Sequence, residues 1–151
     1  MTHAPRLSLP AVVDAVKALA HPGRLRILGM LREGDLCVCQ VTAALELAAS
    51  TVSAHLSDLR RAGFVTERRR GKWVHYHLVE GGALAALAGQ ALRLAQADDQ
   101  LATDAQAARA LRKIPLATFC RPGVESKASG VVPAPVASPA GRKRSAAGRR
   151  A

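Results

Sequence analysis

The chain has 151 residues, with 22 Lys and Arg against 11 Asp and Glu for a net charge of +11, and only 3% of it is aromatic. That length holds one modest, alanine-rich and mainly helical domain and excludes a large enzyme, while the positive excess suits a polyanion whose neutralised phosphates release counterions. Apolar runs fall short of the ~18–20 residues that cross a bilayer, no charged-then-apolar leader opens the chain, and three cysteines, an odd number, argue against a secreted disulfide framework. A soluble, cytoplasmic protein without a membrane partner is expected.

Residues 1–9 read as a flexible arm and residues 10–120 as the folded domain. Val12, Val13, Val16, Leu19 and Ala20 recur at a helical period. His21-Pro22 breaks that helix, and Pro22 suits the first position of the next. Leu25, Ile27, Leu28 and Leu31 form the second helix's apolar face, with Arg24, Arg26 and Arg32 outside it, until Glu33-Gly34-Asp35 ends it. A third helix is predicted over 38–47. Ser50 is the expected N-cap of a fourth, whose inward set Val52, Leu56 and Leu59 runs to a Gly63 terminator. The period then changes to strand at 64–69 and 73–78, separated by the basic tip Arg70-Gly71-Lys72. Residues 83–113 return to helix, bent near Asp98-Asp99, and Pro115 ends it. The segment 121–151, rich in Pro, Gly, Ser and Ala with seven basic residues and one acidic residue, is expected to be a disordered basic tail.

This order predicts a mainly α fold with a small β-hairpin, a winged helix-turn-helix. Such units lay their second helix in the major groove of double-stranded DNA. Ser50, Thr51, Ser53, Ala54, His55 and Ser57 are therefore the candidate readers, mostly small side chains that approach the groove closely. The wing adds Arg68, Arg69, Arg70 and Lys72 for phosphates or the minor groove.

Three separated motifs resemble the ArsR/SmtB family, in its arsenite-responsive branch. They are Leu36-Cys37-Val38-Cys39, the run Val52-Ser53-Ala54-His55-Leu56-Ser57-Asp58-Leu59-Arg60, and Gly71-Lys72-Trp73-Val74-His75-Tyr76. His21-Pro22-Gly23-Arg24-Leu25-Arg26-Ile27-Leu28 is similar to the family's second-helix opening, where an aspartate often replaces His21. The resemblance implies a homodimer that represses a palindromic operator when free and lets go when its inducer binds. It also implies a dimer interface on the first and last helices, here Leu9, Val12, Val16, Leu84, Leu87, Ala91 and Leu92.

The implied inducer is As(III) or Sb(III), soft ions that prefer thiolate sulfur, and no organic cofactor is expected. Cys37 and Cys39 are the first two ligands. Residues i and i+2 stand about 200° apart on an ideal helix, so sharing one ion should distort the start of the third helix, which packs on the recognition helix. A helix N-terminus should also lower the thiol pKa values. The third cysteine that the family often carries three positions later is Thr42 here, and Gln40 replaces the usual aspartate. Cys120, beyond the last helix, is the candidate third sulfur, from its own chain or across the dimer.

The family's zinc site on the last helix is not encoded, since no histidine occurs between Ala83 and Leu116. His75 and His77 share a strand face without further ligands, and no C-x5-R loop or nucleotide-binding glycine loop suggests an enzyme. Two rival readings use the same fold. One is a thiol redox-sensing repressor, and the other is a DNA-binding module that recruits a protein through its tail.

Overall fold

The computed structural model describes residues 6–120; the tail at 121–151 and the first five residues of the arm lie outside them. Helix α1 (Leu9–Leu19) starts at Ser8, whose hydroxyl accepts the Ala11 N–H. Helix α2 (Pro22–Leu31) follows at once. Its N-cap is His21, with Nδ1 accepting the Gly23 N–H at 3.0 Å.

A strand of only two residues comes next, β1 (Leu36–Cys37). It leads directly into α3 (Val38–Leu45), which Glu46 ends in the left-handed region at φ 54°. The helix is thus shorter than the predicted 38–47, because that backbone conformation breaks the ladder. Helix α4 (Ala49–Ala62) is capped by Ala48 rather than by Ser50. The Thr51 and Val52 N–H groups close onto the Ala48 carbonyl, so Ser50 already lies within the first turn. Gly63 ends α4 at φ 91°, and a Cβ there would stand 2.8 Å from the end of the Leu84 side chain. The left-handed backbone favours glycine at that corner, and the end of the Leu84 side chain would have to shift for a Cβ.

Strands β2 (Val65–Arg70) and β3 (Trp73–Leu78) form the hairpin. The sheet nevertheless has three strands, in the order β1-β3-β2 and antiparallel throughout. Leu36 pairs with Tyr76 and Cys37 with His75. Two residues carry no readable period, so β1 escapes sequence analysis.

The predicted bent helix is two helices, α5 (Gly82–Leu94) and α6 (Asp99–Arg112). The Asp98 carboxylate accepts the Gln100 and Leu101 N–H groups and so starts α6 afresh. No described helix is long and apolar enough to cross a membrane.

Ile27, Leu28, Met30, Leu36, Val41, Val52, Leu56 and Leu59 are fully buried at the centre, under Phe64, Val65, Ala88 and Leu92. Each such side chain contributes about 1.5–3 kcal/mol on leaving water. Helix α6 lies against α2 and α3, and one ion pair orients it. Arg26, expected outside the apolar face, donates from Nε and Nη2 to both oxygens of Asp104, at 2.7 and 2.9 Å. Asp104 is 1% exposed and also accepts from Gln100. These hydrogen bonds hold the Arg26 guanidinium above its usual pKa against the opposing effect of burial.

Asp104→Ala removes a buried partner and strands the arginine. We expect a loss of about 2–4 kcal/mol, toward the lower end for buried pairs because Arg26 remains partly solvated. Urea unfolding reads this loss as a lower midpoint at unchanged slope; an unchanged midpoint would show that the pair does not hold α6 in place.

Candidate functional site

The outward face of α4 is set by its inward one. Val52, Leu56 and Leu59 are buried, which leaves Ser50, Thr51, Ala54 and Ser57 exposed on the opposite side, continued by Arg60 and Arg61. Two of the expected readers fall elsewhere. The Ser53 hydroxyl oxygen is buried without a hydrogen-bond partner among the described residues. The His55 ring is buried against His21, with centroids 4.4 Å apart, so His55 meets its neighbouring helix and not solvent. Its pKa is lowered, first by burial and then by the nearby charges of His21 and Arg24.

On the wing, Arg68, Arg69, Arg70 and Lys72 are all exposed. Arg70 is tied to Asp35 at 2.8 Å, and Lys72 lies 5.6 Å from the centre of the Trp73 ring, a cation–π distance. Arg68, Arg69 and Lys72 make no ion pair among the described residues. Arg60 and Arg61, which carry no signal of their own in the sequence pattern, extend the positive surface from the end of α4. They make ion pairs with Glu67 and Asp58 respectively.

The three cysteines are brought together. Their sulfurs all lie within 4.8 Å of one another. Cys39 and Cys120 form a disulfide, and the free thiol of Cys37 is 3.8 Å from the Cys120 sulfur. Trp73, Leu116 and Phe119 pack around the cluster. Cys37 is the extended N-cap of α3, at φ −89° and ψ 165°, while Cys39 sits in its first turn. The 200° separation of an ideal helix therefore does not apply, and the sulfurs converge without unwinding α3. The expected helix distortion is not needed to gather them.

Cys120 arrives because the end of α6 is fastened. Arg109 pairs with Glu33 at 2.7 Å, and Arg112 donates to the Glu33 carbonyl. Beyond α6, the 3-10 turn Leu116–Thr118 lets the Cys120 N–H close onto the Leu116 carbonyl at 2.7 Å. Gln40, at the position of the family's usual aspartate, is buried and bonded at both ends. Its Oε1 accepts the Cys37 N–H at 2.9 Å, and its Nε2 donates to the Leu111 carbonyl of α6 at 3.3 Å. It is the positioning residue that sequence reasoning missed. Only the departure from the family motif marked it.

The expected low thiol pKa is reversed at Cys37. Burial pushes this thiol above its usual value, outweighing hydrogen bonds from the backbone N–H groups of Gln40 and Cys39. Any ion bound there must displace a proton. Thr42, in the position of a third cysteine, buries a hydroxyl without a partner among the described residues. His75 is held below its ordinary pKa, first by burial and then by Arg70, and His77 accompanies Thr66; neither joins the sulfur cluster.

The residues expected at a dimer interface divide in two. Leu9, Val12 and Val16 are exposed on α1, together with Val13. On α5, Leu84, Leu87 and Ala91 are half-buried against the core, and Leu92 is 4% exposed within it. The outward apolar residue at that end is instead Leu94, 81% exposed.

Comparison with known proteins follows the same lines. Residues 21–67 match the family described as bacterial regulatory protein, arsR family. The chain is 46% identical over 77 residues to the arsenic resistance transcriptional regulator ArsR1 of Pseudomonas putida, a match covering 50% of this chain and 59% of that protein. It spans about three fifths of the length of the arsenic-resistance relatives it matches. Among solved structures it is similar to the transcriptional repressor BigR from Xylella fastidiosa, with a TM-score of 0.53 and 31% identity over 58% of this chain and 86% of that one. It is also similar to the homodimeric winged helix-turn-helix DNA-binding domain of Mb0332 from Mycobacterium bovis, with a TM-score of 0.53 and 29% identity over 64% of this chain and 94% of that one.

The buried His55 makes stability depend on pH. Because its folded pKa is depressed, the unfolded chain binds the proton more readily. The contribution of neutral His55 is thus complete above the ordinary value of about 6.5 and lost as pH falls through the folded value. The melting temperature should fall between pH 7.5 and 5 in the native protein and fall less in His55→Gln. Equal slopes in the two proteins would assign the acid sensitivity to other groups.

Proposed function

The chain belongs to the ArsR/SmtB family of helix-turn-helix regulators, as a transcriptional repressor homologous to arsenic-resistance regulators, and on that premise we propose that its inducer is a trivalent metalloid, As(III) or Sb(III), bound by Cys37, Cys39 and Cys120. The observation that carries this reading is the convergence of three sulfurs from two distant parts of the chain within 4.8 Å. Soft three-coordinate ions favour such a thiolate set. The packing of Trp73, Leu116 and Phe119 shields the set from water. Reduction of the Cys39–Cys120 disulfide must come first, since a disulfide sulfur is not a thiolate. The spacing supports Cys120 as a ligand from its own chain.

The free repressor acts as a homodimer on a palindromic operator, because one small winged unit per chain reads only a half-site. The exposed apolar side of α1 supports this assembly, and Leu94 on α5 is a further exposed apolar side chain. Ser50, Thr51, Ala54 and Ser57 face the major groove, and Arg68, Arg69 and Lys72 meet phosphate or the minor groove. Arg70, already paired with Asp35, contributes less. The disulfide favours a second reading, a repressor that responds to thiol oxidation at the same cysteines.

Arsenite added to the reduced, operator-bound protein should release it. Cys37→Ser and Cys39→Ser should each abolish release while leaving DNA binding by the free protein intact, and Cys120→Ser should shift release to higher arsenite. Full inducibility after both Cys37 and Cys39 are replaced would sink the metalloid reading. Peroxide releasing the native protein while arsenite protects no thiol would favour the oxidation reading instead.

Arg69→Ala should weaken binding to all duplexes alike and reduce the slope of log K against log salt by about 0.9 for one lost phosphate contact. A loss confined to the operator would mean that Arg69 reads bases.

A further inference from the structure

We propose that Trp73 is the positioning residue through which the thiol cluster acts on DNA, so that the signal leaves the cysteines by way of the wing. The inference rests on reading the cysteines as the sensing site and adds the route out of it.

Three observations meet at this ring. On one side Trp73 packs against the cluster of Cys37, Cys39 and Cys120. On another it carries the Lys72 ammonium 5.6 Å from its centre. Across the hairpin its register partner is Arg70, and Arg70 is tied to Asp35, two residues before Cys37.

The sheet register explains why these groups coincide. Cys37 pairs with His75, His75 with Arg68, and Trp73 with Arg70. Cross-strand partners share a face and alternate residues return to it, so Cys37, Trp73, His75, Arg68 and Arg70 occupy one face of the three-stranded sheet. Leu36, Tyr76 and Leu78 occupy the other, and all three belong to or pack against the core. The sensing thiol, Trp73 and the wing cations Arg68 and Arg70 thus lie on one hydrogen-bonded face, while Arg69, opposite Val74, lies on the other.

Opening the disulfide, or gathering the three sulfurs around one ion, changes the surface on which the indole rests. The ring in turn sets the Lys72 ammonium and the start of β3. The route requires no unwinding of α3, in agreement with sulfurs that already converge.

Trp73 is the only tryptophan in the chain, so tryptophan emission comes from this ring alone. In the full chain reduced with a phosphine, sodium arsenite should shift the Trp73 emission in step with thiol protection, and re-forming the disulfide should shift it again. The DNA arm uses a duplex selected by the protein from a random pool. The ratio of its affinities without and with arsenite should lie in the usual range for coupled sites, about 5–150-fold. Trp73→Leu should bring that ratio toward one while thiol protection by arsenite persists, and Trp73→Phe, which keeps a packed ring, should restore much of it.

A full ratio in Trp73→Leu would overturn the proposal. So would native emission that stays unmoved while arsenite protects the thiols, a measurement that needs no variant to fold. If arsenite protects no thiol, the metalloid reading fails separately. The same ratio taken between the oxidised and reduced chains then decides the route, and equal ratios in native protein and Trp73→Leu reject it.

Discussion

One buried amide decides where the third sulfur can be. Gln40 spends its oxygen on the backbone N–H of Cys37 and its nitrogen on a carbonyl at the end of α6. Both bonds are made out of water, where a lost partner costs more than an average hydrogen bond contributes. The start of α3 and the end of α6 are therefore fixed to one another, and the short turn beyond α6 delivers Cys120 to the same point. The aspartate usual in the family's motif could accept the Cys37 N–H but could not also donate to α6. A neutral amide also adds no buried charge beside the sulfurs. Gln40 and the nearness of Cys120 to Cys37 thus belong to one arrangement.

The second constraint is the shortness of β1. Two residues suffice to place Cys37 in the sheet, since the pairing is to β3 and both flanks are already fixed by helices. The same two residues turn Leu36 into the core and Cys37 to the opposite face. A single strand step therefore separates the residue that joins the core from the residue that joins the sulfur cluster. Charge follows a similar division. Arg26 is spent on α6 and Arg70 on Asp35, while Arg68, Arg69 and Lys72 stay without carboxylate partners among the described residues. Net charge alone does not show which cations are available to a phosphate.

Local sequence pattern specified the winged helix-turn-helix order, the inward set of α4, the hairpin and its basic tip, and the family. These are local properties: a 3.6-residue period, a change to strand-forming residues and a motif within nine positions all leave their mark on neighbouring residues. It also marked Cys37 and Cys39 by their motif and Cys120 as a candidate.

Tertiary structure alone decided the rest, because those features depend on residues far apart in the chain. The pairing of β1 with β3, the burial of His55 against His21, the inward turn of the Ser53 hydroxyl and the removal of Leu92 into the core depend on what packs opposite. So does the raised pKa of Cys37, where burial reverses the expectation from its place at a helix start. The meeting of Cys37 with Cys120 spans 83 positions. No periodicity reaches that far. Only the packing of α6 on α2 and α3, fastened by Arg26–Asp104 and Gln40, closes the distance.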